Sequence, residues 1–210
     1  MSRSIGKPLQ STVGGRVALS FDDGPDPHWT PLVQAELERA GVRGTFFCDA
    51  RRAIDHPGVL RAVAEAGHEV ALHCVEHVRH SERSRAEVLQ EAREGSRILR
   101  SLGHPPRCWR TPWGVLGDAT LEAAQQEGLE LWGWSADTHD WRGDSAEAML
   151  ARLRGELGSG DVVLMHDALG PGAMREGCAE TVRLIEPLAD LARQAGLEPG
   201  PISVRAAAPC

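Results

Sequence analysis

Arg16-Val-Ala-Leu-Ser-Phe-Asp-Asp-Gly-Pro25 decides how the rest of the chain is read. Its first half is a short apolar run with a β-branched residue and an aromatic, the pattern of a buried strand. The run breaks off at Asp22-Asp23, and Gly24-Pro25 follows as a strong turn signal. Two adjacent carboxylates where a buried strand emerges are costly, because like charges repel and desolvation disfavours both. Alone, the tetrapeptide reads as a solvated acidic loop. It becomes a site only if the chain supplies metal ligands and an acid elsewhere.

Outward from that strand, helical and strand patterns alternate. Helices are expected over residues 28–41, 57–67, 84–102, 117–127, 145–157 and 174–195, the last interrupted at Pro187. Strands are expected over 44–48, 69–73, 108–110, 129–135, 161–166 and 202–204. This is the βα order of an α/β protein with a parallel sheet, wound as a barrel or as an open doubly wound sheet. The 210 residues suit one domain over 16–205, preceded by an extension, 1–15, and followed by a frayed tail, 206–210.

Composition narrows the function classes. A formal net charge of −7 argues against a broad nucleic-acid or anionic-membrane surface. No stretch approaches the roughly 18 apolar residues of a membrane span. Residues 1–15 lack the apolar run of a signal peptide, so with Met1 as the native start the expected location is cytoplasmic. Five cysteines without CxxC spacing fit reduced thiols better than a disulfide framework. Tyrosine is absent and six tryptophans are present, which leaves aromatic recognition largely to Trp. The oligomeric state is not legible.

The polar residues cluster at expected strand ends. Asp22 and Asp23 end the first strand, His73 the third, Arg110 the fourth and His166 the sixth, with Asp137 just past the fifth. In a barrel all strand C-termini open on one face, where active sites of such folds lie. His73 and His77 stand four apart, so one helical turn or a tight loop presents both imidazoles on one side. With Asp23 they make two His and one Asp, a set that leaves a divalent metal open to water. Cys74, as the neighbour of His73, is expected to point away.

Hydrolysis of an amide then needs a base, an acid and stabilisation of the oxyanion. Asp22 is free to act as the base. His166 is the candidate acid, Asp137 the carboxylate that orients it, and Arg110 the group that holds Asp22 ionised. Each has a plainer reading: Asp137 as the cap of the turn before His139, Arg110 as a structural ion pair, His166-Asp167 as a local loop pair. Taken singly, the plainer reading wins for Asp137 and Arg110; taken jointly, the site does.

Five segments carry a resemblance: Ser20-Phe-Asp-Asp-Gly-Pro25, His73-x3-His77, Arg110-Thr-Pro-Trp-Gly114, Asp137-x2-Asp140-Trp141 and Leu164-Met-His166-Asp167. In this order they resemble the motifs of the polysaccharide deacetylases, the NodB-homology group known as carbohydrate esterase family 4. The resemblance implies a distorted (β/α) barrel of about seven parallel strands and a metal-dependent hydrolase that removes N-acetyl groups from amino sugars. It implies the same roles for Asp22, Asp23, His73, His77, Arg110, Asp137 and His166. It adds the Trp113 backbone N–H at the oxyanion, Leu164 and Trp141 around the acetyl methyl, and an Asp140 side chain that supports its loop. The expected cofactor is one divalent metal ion, zinc first, with cobalt, nickel or manganese as alternatives. The expected partner is an N-acetylated sugar or glycosylated metabolite, with Trp29, Trp109, Trp113, Trp132 and Trp141 as candidates to stack on its rings. Alternatives keep the site but change the substrate to a formamide, a ring imide or an O-acetyl ester, or reduce the protein to metal or sugar binding. Three positions depart from the family pattern: Ser20 for Thr, Cys74 for Ser or Thr, and Thr111-Pro-Trp for Pro-Pro-Tyr or Pro-Pro-Trp.

Overall fold

The computed structural model describes residues 3–4 and 11–203. Its regular elements, in chain order, are β1 (Arg16–Asp22), α1 (Trp29–Arg39), β2 (Thr45–Asp49), α2 (Ala50–Asp55), α3 (Pro57–Glu65), β3 (Glu69–Cys74), α4 (Arg85–Ser101), β4 (Cys108–Trp109), α5 (Asp118–Glu127), β5 (Glu130–Leu131), β6 (Ala136–Asp137), α6 (Ala146–Leu153), β7 (Val162–His166), α7 (Ala179–Gln194) and β8 (Glu198–Gly200). The strands run parallel in the order β5-β4-β3-β2-β1-β7-β6. β8 pairs with the first half of β1, below the segment that pairs with β2. The sheet curls into an incomplete barrel with helices outside, a single α/β domain.

Strand alternation sorts the residues into two layers. Val17, Leu19 and Phe21 of β1, Phe46 and Cys48 of β2, Leu72 of β3, Trp109 of β4, and Val163 and Met165 of β7 face the helices and join the main core. Each large apolar side chain buried there contributes about 1.5–3 kcal/mol. Ala18, Phe47, Ala71, Cys108 and Val162 face inward with Trp132 and Ile202, and fill the bottom of the barrel. The inward positions above them are Ser20, Asp22, His73, Arg110, Leu164 and His166, polar except for Leu164, and they lie at the open top of the barrel.

The ends of the elements follow their sequence signals. Ser84 caps α4 in a reciprocal capping box with Glu87, and Ser145 caps α6 through its bond from Ala148 N–H. Several expectations need correction. The strand expected over 129–135 is strand only at Glu130–Leu131, β5; Trp132–Ser135 instead crosses the open seam of the barrel to β6 at Ala136–Asp137. α2 was not expected; Asp49 starts it by accepting bonds from Arg51 and Arg52 N–H. α7 runs through Pro187, which lies on the exposed face, where the carbonyl left without its helical partner is open to solvent.

The strand expected over 202–204 is instead β8 at Glu198–Gly200. Ile202 plugs the barrel, its N–H bonded to Thr45 and its carbonyl to Thr12. Val204, the tail 206–210 and most of the extension 1–15 lie outside the described residues. Within the extension, Arg3–Ser4 pairs antiparallel with Val115–Leu116, and Thr12 N–H bonds Gly160. Cys48, Cys74, Cys108 and Cys178 are buried free thiols. Among the described residues no helix is long and apolar enough to cross a membrane.

Candidate active site

The C-terminal ends of the strands surround a cleft of about 230 Å³ lined by Asp22, Asp23, His73, His77, Trp113, Asp137, Trp141, Leu164 and His166. Of the expected catalytic, metal-ligand and acetyl-pocket residues, only Arg110 is missing from that wall. It lies beneath, fully buried, with its guanidinium over the Phe47 ring at 4.1 Å.

Arg110 links three elements. It donates to Asp22 Oδ1 at 2.7 Å, to Ser20 Oγ at 2.9 Å and to the Gly133 carbonyl at 2.9 Å. The last bond fastens the seam-crossing segment to the barrel interior. Burial pulls the guanidinium down from its ordinary value, while the Asp22 charge pulls it back up. Removing either partner would strand the other charge in the interior, typically at 3–5 kcal/mol.

Asp23 leaves β1 with a left-handed backbone, φ 79°. This turns its carboxylate away from Asp22 and toward the histidines. His73 Nε2 and His77 Nε2 lie 3.5 and 3.3 Å from the same Asp23 Oδ1. The three donor atoms lie within 4.8 Å of one another, and the set excludes Cys74. His73 Nδ1 bonds the Arg110 carbonyl at 2.7 Å, which leaves Nε2 to the site. Burial, then His73, pushes His77 down to about 4, so its imidazole is neutral. Two imidazoles and one carboxylate converging on one point fit a divalent metal ion.

Across the cleft, the structure corrects one expected role. His166 Nδ1 is bonded to Asp140 Oδ1 at 2.7 Å, not to Asp137. Asp137 accepts from the His139 N–H at 2.7 Å, which is the turn-capping role. The chain turns left-handed at His139, φ 55°, and the helical turn Asp140–Arg142 then swings Asp140 under His166. Asp140 Oδ2 also accepts from His166 N–H at 2.9 Å, Thr181 Oγ1 at 2.7 Å and Arg175 at 2.9 Å. Burial works against the Asp140 charge, but His166 and Arg175 hold its carboxyl well below the ordinary range. Burial likewise disfavours the imidazolium of His166, yet Asp140 outweighs it and raises the group to about 9.

Sequence reasoning missed Arg175, which also bonds the His166 carbonyl at 3.1 Å and Cys178 Sγ at 3.1 Å. Its signal was faint: one Arg in a Gly-rich loop, before a helix. Trp134 lines the cleft as well, beside Trp113 and Trp141. Trp109 and Trp132 are core residues instead, and Trp29 packs near Gly177 away from the cleft.

The sequence matches the polysaccharide deacetylase family profile over residues 10–132. It is 31% identical over 153 residues to a peptidoglycan-N-acetylglucosamine deacetylase of Bacillus cereus, covering 72% of each chain. It is 32% identical over 194 residues to a chitooligosaccharide deacetylase of Bradyrhizobium sp., covering 89% of this chain and 88% of the relative. Among solved structures, a family 4 carbohydrate esterase from Streptomyces lividans in complex with acetate is similar at a TM-score of 0.80 and 29% identity, over 92% of this chain and 95% of that one.

Proposed function

Because the chain belongs to the polysaccharide deacetylase family, we propose that it hydrolyses the acetamido group of an N-acetylated amino sugar, releasing acetate and the free amine. The observation that carries this reading is the pairing, in one cleft, of Asp22 held by Arg110 with His166 held by Asp140. Asp23, His73 and His77 hold the metal in this proposal, and their mixed nitrogen and oxygen set suits zinc, with cobalt, nickel or manganese as substitutes. Bound there, the metal supplies Lewis-acid polarisation of the acetyl carbonyl and acidification of water.

The chain's own residues do the rest. Asp22, held in place by its bond from Arg110, takes a proton from the attacking water. His166, protonated at neutral pH, gives its proton to the departing amine nitrogen, so a neutral amine leaves instead of an amide anion. The Trp113 backbone N–H is the proposed donor to the developing oxyanion. Leu164 and Trp141 provide an apolar wall for the methyl group, and Trp113 and Trp134 present rings to the sugar. The substrate class, N-acetylglucosamine units of a saccharide, is supported by the relatives' names.

Acetate release from N-acetylglucosamine oligomers is the test. It should be abolished by a chelator and restored by Zn²⁺ or Co²⁺. A zinc-loaded protein that released no acetate from any N-acetylated saccharide would sink the proposal.

A further inference from the structure

The two histidines of the site are held in different ways. His73 lies on β3 and is fixed by its Nδ1 bond to the Arg110 carbonyl. His77 lies beyond the strand, and its Nδ1 is buried without a protein hydrogen-bond partner. Its ring packs edge-on to Trp113, with centroids 4.2 Å apart, a contact that limits tilt without aiming a lone pair. Position 74, where related motifs carry a hydroxyl, is a buried thiol here, a weak hydrogen-bonding group. The direction of His77 Nε2 therefore depends on the backbone of the intervening loop.

That backbone is gripped from α4. Glu91, buried at 6% exposure, accepts from Val75 N–H at 2.5 Å and from Glu76 N–H at 3.1 Å through one oxygen. Two peptide N–H groups converging on one carboxylate oxygen tie this stretch of backbone to α4. Arg83 stands 3.6 Å from the other Glu91 oxygen and bonds the Glu76 carboxylate at 2.7 Å, closing the same loop from outside. Val75 and Glu76 lie between His73 and His77, so Glu91 acts on the part of the chain that decides their separation.

We propose that Glu91 is a positioning residue for the metal centre, setting the aim of His77 by holding the peptide N–H groups of the loop that carries it. The inference rests on the reading of Asp23, His73 and His77 as metal ligands. It separates from a purely structural role because a structural anchor changes stability alone, whereas a positioning residue changes the affinity of the folded protein for metal.

The experiment measures Co²⁺ and Zn²⁺ affinity by competition with a chelator, with the Co²⁺ absorption spectrum, on the folded full chain. Glu91→Ala is expected to weaken binding by about 10–100-fold, the usual cost of losing an outer partner of a metal ligand, and to alter the spectrum. Glu91→Gln keeps an acceptor oxygen at the same reach and should recover most of the affinity. Glu91→Asp is one methylene short and should bind weakly, which keeps the test intact if the alanine variant does not fold. Wild-type affinity and spectrum in folded Glu91→Ala or Glu91→Asp would overturn the role of Glu91. A wild-type chain that bound no metal would overturn the ligand reading itself.

Discussion

In the proposed reaction His166 must keep its proton until the leaving amine takes it, and its pairing with Asp140 favours the protonated form. With the folded value raised to about 9 from the ordinary 6.5, the acid form persists at neutral pH and is lost as pH rises through about 9. Asp140→Asn removes the largest of the charges that oppose burial. The alkaline limb of the kcat/KM profile should then move to lower pH, and turnover at neutral pH should fall by about 10²–10⁴-fold. Asp137→Asn should keep the wild-type limb, because Asp137 bonds the His139 turn and not His166. The distinction between these carboxylates was not legible in spacing. Strand alternation predicts that Asp137 faces inward, and it does; the left-handed step at His139 that carries Asp140 under His166 is a local backbone choice with no glycine to announce it.

At the scale of elements, the loop after β7 closes the site. Arg175 fastens it to Asp140, and Gly170 brings its backbone against the ligand carboxylate: a Cβ there would fall 2.0 Å from Asp23 Oδ2. Gly170→Ala must displace either the loop or Asp23. Metal affinity measured by titration should drop by about tenfold or more, while thermal unfolding of the metal-free protein changes little. Most elements were legible because their signals are local: Ser84 and Ser145 as helix starts, Gly128 in the left-handed conformation after α5, the apolar runs of β1 and β7. α2 was not, since six residues span too little of a helical period and its cap, Asp49, is also the last residue of β2. The seam at Trp132–Ser135 was hidden for a different reason. Its aromatic run reads as strand, and only the closure of the sheet shows that it must cross from one edge to the other.

On the scale of the molecule, the site gathers distant parts of the chain: the proposed ligands from the end of β1, from β3 and from the loop after it, the proposed base clamp from just past β4, and the proposed acid from β7. A metal that binds only the folded protein therefore stabilises the whole barrel. At a free concentration one hundred times its dissociation constant, zinc should add about 2.7 kcal/mol and raise the unfolding midpoint by roughly 5–10 °C, as calorimetry can check. The convergence was legible as residues at strand ends, since a parallel barrel opens all of them on one face. The division of labour between Asp22 and Asp23 was legible in outline; its physical cause, the left-handed turn at Asp23 that points adjacent carboxylates in different directions, required the structure. Paired measurements on Asp22→Asn and Asp23→Asn, with bound zinc and acetate release read on the same samples, test that division. Asp22→Asn should keep full zinc content with turnover reduced by about 10²–10⁴-fold, and Asp23→Asn should lose zinc. Wild-type turnover in Asp22→Asn, or undiminished zinc affinity in Asp23→Asn, would contradict it.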